Sequence, residues 1–184
     1  MRVISGNYKG KTLKAVPGMK TRPTSDKVKE ALFHRIGPYF EGGDGLDLYA
    51  GTGNLGVEAI SRGMDSFVFV DKSPQSVKII KQNLKSIGIQ EQTEVYCNDA
   101  ARSLSALGKR NKTFNMIFMD PPYHINIIPE LLESIAAKGL LIKSGIVICE
   151  HHSSSTLADK IGILTKQSTE RYGDTSVSVY EREQ

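Results

Sequence analysis

Strand-like and helix-like segments alternate along the middle of this chain, and this alternation limits the possible folds more than any other feature. Short apolar runs typical of buried strands are followed by longer segments with apolar residues on one helical face. Because consecutive parallel strands need a crossover connection, usually a helix, the pattern predicts an α/β fold. Its sheet is expected to be mostly parallel, with helices on both faces. The predicted strands cover 45–50, 66–71, 93–97, 114–119 and 145–150, and the predicted helices cover a segment ending near residue 60, then 74–87, 100–107 and 128–137.

The two ends of the chain depart from this alternation. The elements predicted there are β-like pieces over 2–4 and 12–16, a helix over 26–36, and strands over 163–171 and 176–182. The last two strands surround Gly173-Asp174, which predicts an antiparallel hairpin at the sheet edge. We expect a small basic β/helix extension over residues 1–40 and an α/β domain over 41–184, which together form one compact domain.

Composition narrows the class of protein. With 184 residues, 39% of them hydrophobic and 24% charged, the chain has the makeup of one globular domain. It contains no apolar run of the ~20 residues that a membrane span needs, and its first residues lack the apolar core of a signal peptide. Cys97 and Cys149 match no metal spacing and are predicted to be reduced core thiols. His151 and His152 are predicted to be loop residues that bind no metal, because no carboxylate is suitably spaced. With reduced cysteines, we expect a cytoplasmic protein, and we expect a monomer.

Basic residues are concentrated near the N-terminus. Residues 1–35 hold nine lysines and arginines against two acids, whereas the rest of the chain holds 15 basic and 18 acidic residues. A basic arm on a nearly neutral body suggests contact with a polyanion, because neutralising phosphates supplies most non-specific affinity for nucleic acids. A solvated basic tail would have the same composition. The residues expected to contact nucleic acid are Arg2, Lys9, Lys11, Lys14 and Lys20.

A glycine-rich loop follows the first predicted strand and opens a helix. Its sequence is Gly51-Thr52-Gly53-Asn54-Leu55-Gly56, and glycines at this place let the backbone approach a ligand closely. Asp71 ends the next strand, 18 residues after Gly53, where a carboxylate can accept hydrogen bonds from ribose hydroxyls. Because NAD and S-adenosylmethionine both present a ribose, the loop alone leaves both cofactors open.

Three acidic features favour S-adenosylmethionine. Asp47 lies inside the first strand, four residues before the first glycine, where it can polarise the loop or meet an ammonium group. Asp99 follows the third strand, where its carboxylate can accept a hydrogen bond from the adenine amino group; capping the next helix is its alternative role. The fourth strand ends in Asp120-Pro121-Pro122-Tyr123, which hydride transfer does not require. All these features lie at carboxyl ends of predicted strands, where open α/β sheets bind ligands.

The segment Asp120-Pro121-Pro122-Tyr123 suits methylation of an exocyclic amino group on a base. The lone pair of such a nitrogen is delocalised into the ring and must be redirected toward the methyl donor. Asp120 can accept one amine hydrogen and the Pro121 carbonyl the other, which would aim the nitrogen for transfer. Tyr123 offers an aromatic face on which the base can stack. A plain strand-terminating turn is the competing interpretation, and the segment does not name the base.

Several segments resemble a known family. Residues 46–53 resemble motif I of class I methyltransferases, and residues 120–123 resemble their amino-methylating motif IV. Segments within residues 2–33, among them 21–33, are similar to the start of the RsmD family, the bacterial 16S rRNA guanine-N2 methyltransferases. Residues 172–175 also resemble this family, and the resemblance covers essentially the whole chain.

This resemblance implies a class I methyltransferase with a Rossmann-like sheet, with 41–184 as the S-adenosylmethionine-dependent domain. The methyl acceptor would be the N2-amino group of one guanine in 16S rRNA, within an assembled or assembling 30S particle. Arg22-Pro23-Thr24 would form a motif X near the methionine end of the cofactor, with Asp71 on the ribose and Asp99 on the adenine. Asn54 replaces a more usual small hydroxyl residue, and Tyr123 stands where many relatives have Phe. The expected cofactor-binding residues are Arg22, Thr24, Asp47, Tyr49, Gly51, Thr52, Gly53, Asn54, Asp71, Lys72, Asp99 and Ala100.

The expected catalytic residues are Asp120, Pro121 and Tyr123. Three other functions are weighed against this one. A DNA adenine or cytosine amino-methyltransferase would use the same motif, but so short a chain has little room for a target-recognition domain. A non-catalytic rRNA-binding assembly factor would not need Asp71, Asp120 and the glycine loop intact. A NAD oxidoreductase would need a catalytic proton donor, for which no residue is evident.

Overall fold

Three parallel strands organise the first of two units, Met1–Asn98, and the second unit spans Asp99–Gln184. The computed structural model describes residues 1–18 and 26–184. A single 3₁₀ turn, Gln90–Gln92, precedes the third strand. The helices and strands are, in chain order, α1 Asp26–Ile36, β1 Asp44–Asp47, α2 Asn54–Ser61, β2 Ser66–Asp71, α3 Pro74–Ile87, β3 Thr93–Cys97, α4 Ala100–Lys109, β4 Phe114–Met119, α5 Ile128–Ala137, β5 Leu141–His152, β6 Lys160–Ile161, β7 Leu164–Tyr172 and β8 Thr175–Arg182.

In the first unit, β2 lies between β1 and β3, with Leu46 of β1 opposite Val68 of β2. The helices α2 and α3 supply the crossover connections that these parallel strands require. Local signals define α3: the Ser73 side chain caps its first turn, Pro74 occupies the first helical position, and Gly88 ends it with a φ of 83°. Such signals explain why the predicted bounds of this helix are confirmed.

The first residues form a short antiparallel arm. Arg2 makes a β-bridge to Thr12, and the amide of Val3 donates to the carbonyl of Lys11 at 2.9 Å. Val3 and Leu13 are buried, so the arm has an apolar side of its own. The two predicted β-like pieces are therefore paired, although their regular pairing is limited to a single bridge.

In the second unit the strands lie in the order β4, β5, β8, β7, β6. β4 and β5 run parallel, whereas β8 pairs antiparallel with both β5 and β7, which confirms the C-terminal hairpin. β5 is twice as long as the predicted strand: it begins four residues earlier, where Leu141 lies opposite Phe114 of β4, and ends two residues later, where β8 continues the ladder to His152 opposite Thr175. The prediction that His151 and His152 are loop residues is therefore wrong: both end β5.

The predicted fold class is confirmed as a mixed α/β fold with parallel strands followed by an antiparallel hairpin. Cys149 is buried in β5, and this burial raises the pKa of its thiol. Cys97 is exposed, so the prediction that both cysteines are core thiols is wrong for Cys97. It ends β3, which has a partner on one side only within its unit and carries exposed residues at its carboxyl end.

Among the helices that the structure describes, none combines the length and apolar character needed to cross a membrane. The arm, α1 and the first three strands all belong to the same unit. A boundary near residue 40 between an N-terminal extension and the main domain stays a prediction.

Candidate active site

The glycine loop joins β1 to α2, and its glycines have two separate uses. Gly51 and Gly53 have φ values of 58° and 83°, in the left-handed region that disfavours side chains. Gly56 instead serves packing, because a Cβ there would lie 2.4 Å from the ring of Phe69 on β2. A Cβ on Gly51 would meet nothing within 4 Å, so the loop surface beside Gly51 is open to a ligand.

Asp71, at the end of β2, is joined to the glycine loop. Its Oδ2 accepts a hydrogen bond from the Gly51 amide at 2.9 Å, and its Oδ1 accepts one from the Ser73 amide at 2.9 Å. A carboxylate oxygen accepts more than one hydrogen bond, so this arrangement leaves capacity for ribose hydroxyls. The geometry fits the predicted role of Asp71, which stays a prediction.

Asp47 ends β1 and is almost completely buried, with 2% of its surface exposed. Burial raises the pKa of its carboxyl to about 7, a backbone hydrogen bond at Tyr49 lowers it, and the charge of Asp71 raises it further. A cation bound beside Asp47 would oppose this shift by stabilising the carboxylate. The position therefore suits the ammonium group of an amino-acid moiety.

A buried polar cluster supports the start of α2, and we call it the Lys29 cluster: Lys29, Asn54, Glu58 and Arg62. The Lys29 ammonium donates to Oδ1 of Asn54 at 2.8 Å and lies 3.2 Å from Glu58. The other oxygen of Glu58 accepts from Nε of Arg62 at 2.9 Å. Burial lowers the pKa of Lys29 more than the charge of Glu58 raises it. Lys29 is one of the nine basic residues within 1–35, but its buried side chain is unavailable to a nucleic acid.

The remaining predicted cofactor residues have mixed environments. Asp99 caps α4, since its Oδ2 accepts from the Arg102 amide at 3.1 Å, which is the alternative role considered for it. Its contact with adenine stays a prediction. Thr52, Asn54 and Ala100 are buried, Tyr49 is half-buried and Lys72 is exposed. Arg22, Thr24 and Lys20 lie outside the described residues.

The loop Asp120-Pro121-Pro122-Tyr123 begins directly after β4. Asp120 is half-buried and Pro121 is buried, while Pro122 and Tyr123 are exposed. The amide of Ile125 donates to the carbonyl of Pro122 at 3.0 Å, which closes a turn behind the two prolines. Since proline fixes its own φ, this loop presents its carbonyl groups in a stiff arrangement.

Tyr123 is held from two sides by residues that the sequence analysis did not select. Its hydroxyl is hydrogen-bonded to the hydroxyl of Thr175, at the start of β8. Its ring lies 5.5 Å from the ring of His152, at an interplanar angle of 80°. The resemblance of residues 172–175 to the family was the one signal in the sequence for Thr175. No sequence signal marked His152. Its contact with Tyr123 depends on the length of β5, which the sequence pattern did not reveal.

A cavity of about 280 Å³ opens beside this loop. Its lining includes Pro121, Pro122 and Tyr123 together with the residues at the end of β5, Glu150–His152. His151 is buried, and its Nε2 is hydrogen-bonded to Ser178 of β8 at 2.8 Å. Among residues 1–18 and 26–184, no group of three or more His, Cys, Asp and Glu side chains could hold a metal ion.

The basic surface of the first unit extends beyond the arm. Lys9, Lys11 and Lys14 are exposed, and the Lys14 amide donates to Asn83 of α3 at 2.8 Å. Asn83 in turn donates to the carbonyl of Lys14 at 3.1 Å, which fixes the arm against α3. The lysines of α3 were not among the predicted RNA contacts, although residues three and four positions apart share one face of a helix. The exposed lysines of α3 are Lys78, Lys81 and Lys85.

The chain is similar to known proteins along its whole length. The family model described as conserved hypothetical protein 95 matches residues 1–181. The Bacillus subtilis protein named "Putative rRNA methyltransferase YlbH" is 46% identical over 182 residues, with 99% of each chain covered. The Escherichia coli K12 protein named ribosomal RNA small subunit methyltransferase D is 25% identical over 183 residues, with 100% of this chain and 90% of that one covered.

Solved structures share the fold. A conserved hypothetical protein from Streptococcus pyogenes is 36% identical with a TM-score of 0.80, and the match covers 85% of this chain and 96% of that one. An RNA methyltransferase from Salinibacter ruber, solved with S-adenosyl-L-homocysteine, is 16% identical with a TM-score of 0.65, covering 88% of this chain and 94% of that one. At that identity the second match shows the fold alone.

Proposed function

Because this chain belongs to the conserved hypothetical protein 95 family, the RsmD family, we propose that it methylates the N2-amino group of one guanine in small-subunit rRNA. The donor in this proposal is S-adenosylmethionine, and the substrate is the assembled or assembling 30S particle in the cytoplasm. The observation that carries the proposal is the stiff Asp120–Tyr123 loop beside a cavity, in a chain that also has the glycine loop with Asp71.

The residues of the first unit fit the cofactor. The open surface at Gly51 accommodates it, Asp71 accepts from its ribose, and the buried Asp47 pairs with its ammonium group. When bound, S-adenosylmethionine supplies a methyl group on a positively charged sulfur. Lys29 stabilises the end of the glycine loop, because its ammonium group donates a hydrogen bond to Asn54, the first residue of α2.

The residues of the second unit fit the amine. Asp120 accepts one hydrogen of the exocyclic amino group and the Pro121 carbonyl accepts the other, which directs the nitrogen lone pair away from the ring. Tyr123 stacks on the base, and its hydrogen bond to Thr175 and its edge-to-face contact with the His152 ring keep the Tyr123 ring in place. The base must be unstacked from the RNA before it can reach this loop.

One assay tests the proposal. The protein is incubated with labelled S-adenosylmethionine and, in parallel, with bare 16S rRNA, with 30S particles from cells lacking the protein, and with duplex DNA. We expect N2-methylguanosine in the rRNA or the particle after digestion to nucleosides. Label confined to adenine or cytosine of DNA would overturn the proposal. Binding of rRNA without transfer to any substrate would favour a scaffold role instead.

A further inference from the structure

The cavity beside Tyr123 has polar groups that match the edge of one base. We propose that it receives the target guanine, with Glu150 accepting a hydrogen bond from N1–H and His152 donating one to O6. This inference rests on the proposed function and adds the residues that choose the base. Both side chains line the cavity together with Pro121, Pro122 and Tyr123.

Strand register brings Glu150 next to the catalytic loop. Met119, the last residue of β4, lies opposite Cys149 of β5 in a parallel pair. The residues that follow them, Asp120 and Glu150, are therefore neighbours at the carboxyl ends of adjacent strands. Side chains alternate between faces along a strand, so Glu150 and His152 share one face while His151 lies on the other. The order Asp120, Glu150, His152 follows the order of N2, N1 and O6 along a guanine edge.

The hydrogen bonds of His152 fix which of its ring nitrogens carries a proton. Nδ1 of His152 lies 3.1 Å from the amide nitrogen of Ser154, and an amide can only donate. Nδ1 must therefore be the acceptor, and in the neutral ring the proton is on Nε2. The hydroxyl of Ser154 lies 2.7 Å from the same Nδ1 and, with Nδ1 as the acceptor, donates to it. His152 thus presents an N–H donor, which suits a carbonyl oxygen such as O6.

This arrangement discriminates between the bases that carry an exocyclic amine. Guanine offers a donor at N1 beside its amino group, and a carboxylate accepts from it. Adenine and cytosine have a lone pair at the ring nitrogen next to the amino group, so the carboxylate of Glu150 would repel them. A site built to hydrogen-bond a substrate rejects analogues that leave its buried polar groups unpaired. Glu150 therefore selects guanine, while Asp120 and the Pro121 carbonyl accept hydrogen bonds from the exocyclic amino group of any base that carries one.

The test replaces the target guanine with 2-aminopurine, which keeps the 2-amino group but lacks both N1–H and O6. Once the labelled guanine has been mapped, 16S rRNA carrying this replacement is made by ligation and assembled into particles. We expect the wild type to transfer methyl to 2-aminopurine at least about 100-fold more slowly, as kcat/KM, than to guanine. The variants Glu150→Ala and His152→Ala should be slow on guanine and lose most of this discrimination, and Glu150→Gln should be intermediate.

Matched controls are Glu133→Ala and His124→Ala, because both residues are exposed and neither lines the cavity. Each control should keep the wild-type discrimination, and all variants should bind S-adenosylhomocysteine normally. Unchanged discrimination in Glu150→Ala and His152→Ala would overturn this inference and leave the proposed function intact. A wild type that labels no guanine would overturn both, so the two failures are distinguishable.

Discussion

The ammonium of Lys29 donates to Oδ1 of Asn54 at 2.8 Å, which joins a buried base of α1 to the first residue after the glycine loop. Lys29 also pairs with Glu58 at 3.2 Å, and both side chains are fully buried. Removing the Lys29 ammonium takes one donor from the buried Asn54 and one cation from the buried Glu58, which keeps its bond to Arg62. We expect Lys29→Met to lower the free energy of unfolding by about 1–3 kcal/mol, measured by urea denaturation. The control Lys27→Met, at an exposed position of the same helix, should be neutral, and equal losses in both would refute a special role for Lys29.

The raised pKa of Asp47 predicts a pH dependence of stability. Burial holds this pKa at about 7, whereas the unfolded chain titrates near 3.8. Between these values the folded protein binds a proton that the unfolded chain has released, so stability falls as pH rises through this window. We expect the loss to approach about 1.4 kcal/mol per pH unit in the ligand-free protein. Asp47→Asn should lack this pH-dependent loss of stability in thermal or urea unfolding. An identical pH profile of stability in the two proteins would contradict its assignment to Asp47.

Loss of Asp120 should separate chemistry from cofactor binding. Asp120→Ala removes the acceptor proposed to hold the amine during transfer, and such electrostatic groups contribute about 10²–10³-fold in kcat. We expect single-turnover transfer to fall by at least this factor, while calorimetry shows normal binding of S-adenosylhomocysteine. Asp159→Ala is the control, because that exposed residue pairs only with Lys166 among the ion pairs described. A large loss of cofactor binding in Asp120→Ala would refute this division of roles.

The bond between Tyr123 and Thr175 predicts how substitutions there combine. Tyr123→Ala removes the ring proposed to stack on the base and should lower kcat/KM about 5–150-fold, since base–aromatic stacking contributes about 1–3 kcal/mol. Tyr123→Phe keeps the ring and should stay within a few-fold of wild type. Thr175→Val should have a kcat/KM similar to that of Tyr123→Phe, and the kcat/KM of the double variant should be no lower than that of either single variant. Additive losses in the double variant would show that the two hydroxyls act independently.

The lysines of α3 predict a salt-dependent contribution to RNA binding. This helix holds three lysines and no acid, and like charges three or four residues apart destabilise a helix. If each contacts a phosphate, replacing Lys78, Lys81 and Lys85 by Gln should lower the slope of log K against log salt by about 0.7–0.9 per lysine. The control replaces three exposed lysines of the second unit, Lys109, Lys138 and Lys143. An equal change of slope in both triple variants would show that only total charge matters.

Elements with strong local signals were predictable from the sequence. The bounds of β2 and α3 match the prediction, because caps, proline, glycine and apolar periodicity all act over a few residues. The glycine loop and Asp71 were also predictable, since their spacing follows from one strand, one turn and one helix. The bond of Asp71 to the Gly51 amide confirms that these two features meet.

Features that depend on distant segments were not predictable. The hydroxyls of Tyr123 and Thr175 are 52 residues apart in the chain and meet only because β8 pairs with β5. Lys29 was counted by its charge, although Leu32 and Phe33, one turn further along α1, share its buried side of the helix. Its partner Glu58 lies on α2, and no sequence pattern reveals that this acid is buried. Composition therefore overstated how many basic residues are available to RNA.

The position of β8 also bears on how the protein is made. β8 lies between β5 and β7, yet it is synthesised after both of them. A nascent chain that has not yet reached Thr175 has β5 and β7 without the strand that joins them, and Tyr123 without its hydroxyl partner. The surroundings of the loop Asp120–Tyr123 are therefore completed only when residues 175–182 have been synthesised and have paired with β5. The ribosome that translates this chain must therefore synthesise β8 before the site proposed to modify ribosomal RNA is complete.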